Sequence, residues 1–579
     1  MLYRLSNNKL IKYKLINIFL FSFLSSVYLL CSGLIFFKKD IKENNDIFLH
    51  IFFGAISISF IALIANFFIS LNQTFNTIIL ILILIFGSII ILKKQIIYKS
   101  IIACSLIALV STLILTFDTI YRPDASMYHL PYTKIINDNK IIFGISNVHF
   151  RFGHTSILQY LNAFFNNHLF GVKGIITPAA IIFSSLVLYF YYEINKNLDK
   201  DKIYSYFIFL ILAYILYGYN RYSEFGNDTI AHLYFLLISS LLLKKNFKEK
   251  FNFDILINIS LLSIFCFMLK SSLILILTIP LTLLLINFKK EYLVNLKSLL
   301  LIFITLLWFT KNLITSGCLI YPIEFTCFEQ LDWFTNNTEY LSSAKLQALD
   351  NQAWSKGWSN YIGAEITQVS FVKNFFWVKT WLSVHGIFIF KKLSIYLLIL
   401  IILHQLVKRI NPKEYLFKIK INNEILFLFF LSLIGVSLWF LRFPIFRYGS
   451  SYLVLLITIF TLIFAIKNQL ADKDTKKLKK LISISIITFF TLFVLKHVNR
   501  IYKNFDSEFV NNPWPKFHTE EQRNLTFSSD KIIKNGITNY FLLTSNYGCG
   551  YSASPCTPYK INKIYFSIKK GYKFYNVEK

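Results

Sequence analysis

The stretch "FDTIYRPDASMYHLPYTKII", residues 117–136, places Asp118, Arg122, Asp124 and His129 around Tyr121 and Tyr128. It follows an apolar run long enough to cross a bilayer. Similar ionisable groups stand at the edges of other apolar runs. "VHFRFGHTS" carries His149, Arg151 and His154. "NRYSEFGNDTIAH" carries Arg221, Glu224, Asp228 and His232, with Asp228 where an apolar run resumes. "CFMLKSSLIL" contributes Lys270, and "WFLRFPIFRYGSS" contributes Arg442 and Arg447. A charge inside a spanning helix costs about 2.5–3.5 kcal/mol on insertion scales, so such residues are functional candidates by default. Cations and carboxylates at one membrane surface suit a substrate that carries a phosphate and is held at the interface.

Each residue also has a simpler structural role open to it. Asp124 is placed to cap a loop helix, and Asp118 to end the span before it. Asp228 has Arg221 as a surface partner. Lys270 can snorkel to the headgroups, and Arg442 and Arg447 can anchor there. The histidines match no standard metal-ligand spacing.

The elements that must hold these residues are helices in a membrane. Of 579 residues 55% are hydrophobic and only 16% charged, with a mean hydropathy of +0.54; soluble proteins carry roughly 25% charged residues. The expected fold is an all-α polytopic membrane protein. About fourteen spans are expected, near 15–37, 47–70, 77–92, 100–117, 174–193, 203–220, 229–243, 254–270, 272–288, 298–314, 384–407, 424–441, 450–466 and 481–498. Pro123 and Asp124 are expected to start a short helix with Asp124 and Tyr128 on one face, its length limited by Pro131.

The net charge of +30 would raise nucleic acid as a partner of a soluble protein. Here most Lys and Arg fall in short loops, such as "KKDIKENND", "KKNFKEK" and "KNQLADKDTKKLKK", which alternate with less basic ones. The positive-inside rule makes the Lys-rich loops cytoplasmic, and no nucleic-acid partner is expected. The loops 118–173, 221–228, 315–383 and 442–449, with the tail from 499, then face outward. The organisation is a transmembrane domain over 1–498 and a small external α/β domain over 499–579. "NYFLLT" and "NKIYFSI" in the tail are strand-like. Cys318 with Cys327, and Cys549 with Cys556, share outward segments where disulfides persist.

An early external loop opening on Asp and followed by a Tyr-rich amphipathic helix resembles GT-C glycosyltransferases. These are polytopic enzymes that use a polyprenyl-phosphate-linked sugar as donor. A nearer resemblance is to an uncharacterised bacterial group of multi-spanning membrane proteins, carried by "DASMYHLP", "GISNVHFRFGHTS", "LKSS", "NLITSGCLIYP", "LDWF", "FPIFRYGSS" and "CGYSASPCTPY" across residues 118–559. The chain departs from the family in having Ala125 after Asp124, where many members have a second acidic residue, and in having this loop after a fourth span.

The resemblance implies a GT-C-like fold in a bacterial inner membrane and transfer of a sugar to a glycan, lipid or protein acceptor at its external face. Asp124 would be general base, with Asp228 and Asp118 as further catalytic carboxylates. Lys270, Arg442 and Arg447 would neutralise the lipid phosphate. Tyr128, His129, Arg151, His154, Arg221 and Glu224 would complete the substrate site, and Asp228 and Glu224 would either orient the acceptor or hold a divalent cation, Mg or Mn. Trp333, Trp354 and Trp358, on the 315–383 loop, would cover the cleft and stack on sugar rings. A polysaccharide polymerase or ligase of O-antigen type is an alternative that would lean on Arg442, Arg447 and the histidines. A lipid or sugar transporter or flippase is another, and should show internal repeats and helices broken near the midplane.

Overall fold

The computed structural model describes residues 9–37, 41, 44–120, 124–218, 225–244, 253–334, 344–363, 365–410, 422–468, 475–505, 513–517, 529–534, 537–543, 549–551, 554–557 and 564–577. Ten helices among them are long and apolar enough to cross a membrane: Tyr13–Phe36, Asn45–Phe68, Gln73–Lys93, Ile97–Leu115, Gly171–Asn197, Leu296–Ser316, Trp377–Leu406, Asn423–Arg442, Phe446–Phe464 and Lys479–Phe505. The protein is a multi-pass membrane protein of mainly α-helical structure. Three further expected spans are helices of 17 residues, Lys202–Gly218, Asp228–Lys244 and Phe253–Leu269. At about 1.5 Å per residue they fall a little short of a hydrocarbon core of about 30 Å. The span expected at 272–288 begins as a 3-10 turn, Ser271–Leu277, and is α-helical only over Thr278–Ile286.

Helices apolar on all sides belong in the middle of a bundle. Asn45–Phe68 and Gly171–Asn197 are the most buried of the ten. Small residues let neighbours approach closely. A Cβ on Gly54 would lie 1.8 Å from the Leu29 carbonyl oxygen, and one on Gly33 2.0 Å from that of His50. Hydroxyls bridge helices between Ser25 and Thr177 (3.1 Å) and between Ser111 and Ser184 (3.0 Å).

Among the described residues, helix ends bring polar groups together at both ends of the bundle. At the end expected to be cytoplasmic, fully buried Glu193 receives Lys244 Nζ at 2.6 Å and Tyr204 Oη at 3.1 Å, and Asn45 also donates to it. Asp228, Lys270 and Arg447 meet at the other end.

The 118–173 segment folds over that second end. Asp124 precedes a π-helical turn, Ala125–His129, which runs into the helix Leu130–Asp138. Pro131 lies just past the junction of the π turn with this helix, so the helical run passes through it instead of ending there. Ser156 and Gln159 form a capping box on Ile157–Phe164.

Beyond Phe505 the regular structure among the described residues is β, in place of the expected α/β mixture. Ser529–Lys534 pairs antiparallel with Ile537–Leu543, and Ile564–Lys569 with Tyr572–Val577, which places the described residues of both strand-like motifs in strands. The tail grips the 118–173 segment. Lys516–Phe517 pairs with Thr119–Ile120, the Gly550 N–H donates to the Ser126 carbonyl at 2.7 Å, and Phe574 stacks on Phe143. Cys318–Cys327 and Cys549–Cys556 are both disulfide-bonded.

Candidate functional site

Five of the residues singled out in the sequence converge. Asp124 sits at the start of the π turn without using its side chain as a cap. Its Oδ1 accepts from Arg151 Nη1 and its Oδ2 from Arg447 Nη1, each at 2.9 Å. Arg447, in the first turn of Phe446–Asn468, also brings Nε to 3.9 Å from Asp228 Oδ2. Asp228 is the first residue of its helix, where the helix dipole favours a negative charge. Its Oδ1 accepts from Lys270, which follows the last residue of Phe253–Leu269. Lys270 is 8% exposed, so it is an internal ion-pair partner and does not snorkel. Three cations face two carboxylates, which leaves one net positive charge in a partly buried place.

The backbone of Arg447 is fixed as firmly as its side chain. Its carbonyl accepts from Lys270 Nζ at 3.0 Å and from His232 Nε2 at 2.8 Å. With Nε2 donating, His232 Nδ1 is left to accept from the Ser451 hydroxyl at 2.9 Å. Aromatic faces enclose the cations. Lys270 Nζ lies 4.3 Å from the Tyr448 ring centroid, the Arg151 guanidinium 4.9 Å from Tyr128, and the Arg447 guanidinium 5.4 Å from Trp354. Each geometry is within cation–π range.

Burial alone would push the Asp124 carboxyl up, but the Arg447 and Arg151 guanidiniums prevail and hold it below the usual carboxylate range. Burial lowers His129 to about 4 against the pull of Asp124 and Asp228, and lowers His149 to about 3. His129 is therefore a neutral imidazole beside the cluster near neutral pH.

The other expected site residues lie elsewhere. Asp118 pairs with Arg500 Nη1 at 2.9 Å, and the same guanidinium binds the carbonyls of Leu113, Ile114 and Thr116. Asp118 thus ties the end of one helix to the last long one. Arg442 is exposed and has no ion-pair partner among the described residues. It lies close enough to Lys356 to help burial bring that amine down to about 8. His154 is exposed, 3.4 Å from Asn351, whereas His149 Nδ1 accepts the Arg151 N–H at 3.1 Å and shapes the turn that carries Arg151. Arg221 and Glu224 lie outside the described residues. Of the three tryptophans, Trp354 covers Arg447. Trp333 packs on Phe143, and Trp358 on Tyr361 and Phe371.

Tyr448 and Ser451 were missed, although "FRYGSS" places them one and four residues beyond Arg447. Lys311 was also missed. It is a fully buried amine five residues before the end of the span Leu296–Ser316, 4.6 Å from the Trp308 ring centroid, and an ionisable residue inside a span was the signal available. No group of three or more His, Cys, Asp or Glu among the described residues is arranged to hold a metal. The oxygens of Asp124 and Asp228 are engaged by guanidinium and ammonium groups, an arrangement that fits an anion better than Mg or Mn.

No curated protein and no solved structure matches the chain. The family described as "Domain of unknown function (DUF8201)" matches residues 15–454. That stretch contains all five residues of the cluster and stops short of the last long helix and the tail. The chain belongs to the DUF8201 family.

Proposed function

We propose that this protein is a GT-C-like glycosyltransferase that moves a sugar from a polyprenyl-phosphate donor to an acceptor at the external face of a bacterial inner membrane, through a bundle of about fourteen crossings. The observation that carries the proposal is the convergence of Asp124, Arg151, Asp228, Lys270 and Arg447 from four distant parts of the chain into one cationic cluster at a single end of the bundle.

The donor phosphodiester carries one negative charge, which matches the one unbalanced cation. Arg447 and Lys270 take the phosphate. Their partial withdrawal from Asp124 and Asp228 raises the basicity of Asp124, which in the resting site is held low by its arginines. The acceptor hydroxyl then attacks the anomeric carbon, its proton passes to Asp124, and the bond from carbon to phosphate oxygen breaks with inversion. The polyprenyl phosphate leaves with an added negative charge, which Arg447 and Lys270 neutralise; fixed charges aimed at developing charge are the strongest lever such a site has. Trp354, 47% exposed, offers its free surface to a sugar ring. No step passes through a metal.

A polysaccharide polymerase or ligase is the second reading, favoured by one observation: Arg447 touches both carboxylates and is the hub of the cluster. The two readings part at Asp124. The test is lipid extraction from a strain lacking the gene, complemented with the parent or with Asp124→Asn. Accumulated polyprenyl-phosphate sugar that is cleared by the parent and not by Asp124→Asn supports the transferase. Clearance by both removes Asp124 as the base.

A further inference from the structure

A second polar recess lies at the same end of the bundle as the cluster. It is a cavity of about 460 Å³ between the turn joining two spans (Ile69, Ser70, Asn72), the segment after Leu130–Asp138, and the tip of the last hairpin. Its place relative to the bilayer follows from the chain. Ile69 comes directly after the span Asn45–Phe68, and Asn72 caps the next span, accepting the Phe75 N–H at 2.9 Å. Residues within a few positions of two span ends sit at the level of the headgroups. Phe68 is 65% exposed and Ile69 39%, so the apolar rim faces where acyl chains would lie.

The polar wall is cationic. Lys140 and Lys573 both line the cavity. Asp138 also lines the cavity and is near enough to act on Lys573, but its ion pair is with Lys134 at 2.9 Å, so the lysines outnumber the carboxylate. Lys140 is set by the Tyr572 ring, 5.1 Å from its Nζ, and Tyr572 is anchored by donating to the Phe67 carbonyl at 2.8 Å. Gly571, at φ +77°, makes the hairpin turn over the recess, and a Cβ there would come within 3.5 Å of Lys140 Nζ. Half-buried ammonium groups beside an apolar rim, in a cavity also lined by Asn72 and Asn139, match a phosphate on a lipid: the charge goes to the lysines and the chains to the rim.

We propose that this recess binds the phosphate headgroup of an anionic phospholipid from the surrounding leaflet, held by Lys140 and Lys573. The site is separate from the Asp124 cluster and does not rest on sugar transfer. The test is native mass spectrometry of the full chain in detergent, titrated with phosphatidylglycerol or, separately, with inorganic phosphate. The expected result is saturable phosphatidylglycerol binding that weakens at least tenfold in Lys140→Gln/Lys573→Gln and survives in Lys140→Arg/Lys573→Arg. A Lys93→Gln/Lys94→Gln variant, with the same loss of net charge at the other end of the bundle, should bind like the parent. Phosphatidylglycerol binding unchanged in Lys140→Gln/Lys573→Gln would overturn the proposal. Binding of inorganic phosphate at these lysines without binding of the lipid would overturn the lipid assignment.

Discussion

Arg447→Gln is the perturbation whose consequences the geometry defines most closely. Arg447 donates to Asp124 at 2.9 Å and stands 3.9 Å from Asp228. Its side chain is 15% exposed and that of Asp124 19%, so the pair is only partly screened by water. A hydrogen bond to a charged group contributes about 1.5–3 kcal/mol. Breaking a fully buried pair costs about 3–5 kcal/mol. Arg151 still holds the other oxygen of Asp124, so the expected loss is intermediate, about 2–4 kcal/mol. Much of that loss is the carboxylate left under-compensated, and Asp124→Asn removes the charge. The double variant Asp124→Asn/Arg447→Gln should therefore be more stable than the sum of the two single changes predicts, by about 1–2 kcal/mol. The assay is unfolding of the full chain in detergent for the parent, both single variants and the double variant. Sugar transfer should fall about 10²–10³-fold in Arg447→Gln and stay lost in the double variant. If the single losses add to within about 0.5 kcal/mol, Arg447 and Asp124 do not form the coupled pair on which the mechanism depends.

Asp118→Asn should loosen the hold of the last long helix, with a loss of about 1–3 kcal/mol in an unfolding assay, while turnover stays within a few-fold of the parent. Trp354→Ala should raise KM about tenfold with little change in kcat if its ring serves as a sugar platform, measured by steady-state kinetics on the donor. Acid should destabilise the fold through His129 and His149. Their folded values of about 4 and about 3 lie below an unfolded value of about 6.5, so the unfolded chain binds more protons and stability falls as pH drops below 6.5. The cost at pH 5 is about 2 kcal/mol for each histidine; unfolding profiles at pH 7 and pH 5 check this, and the difference should shrink in His149→Gln.

Much of the architecture was legible because the bilayer imposes a single strong pattern. Long apolar runs broken by Lys-rich loops marked every long helix. The alternation of those loops predicted which ends would gather, and Asp228, Lys270 and Arg447 do meet. Pairings were not legible. Asp118 and Asp124 are six residues apart in one motif, yet Asp118 goes to Arg500 and Asp124 to Arg151 and Arg447. Nothing local distinguishes them, since each choice of partner is made by helices packed from far along the chain. Lys270 looked like a snorkelling residue for the same reason: its partner Asp228 is 42 positions away. Pro131 was misjudged because the chain is already helical before it, in a π turn whose wider hydrogen-bonding no local pattern announces. Short helices such as Asp228–Lys244 lie at the limit where length alone stops marking a span.

The most direct test is transfer by the purified full chain. Parent and Asp124→Asn proteins, matched for folding in detergent, are supplied with a polyprenyl-phosphate sugar and a crude envelope acceptor, and release of polyprenyl phosphate is followed. The parent should release it, and Asp124→Asn should release at least a thousandfold less, with donor binding retained. Release by Asp124→Asn at the parent's rate would contradict the role of Asp124 as general base.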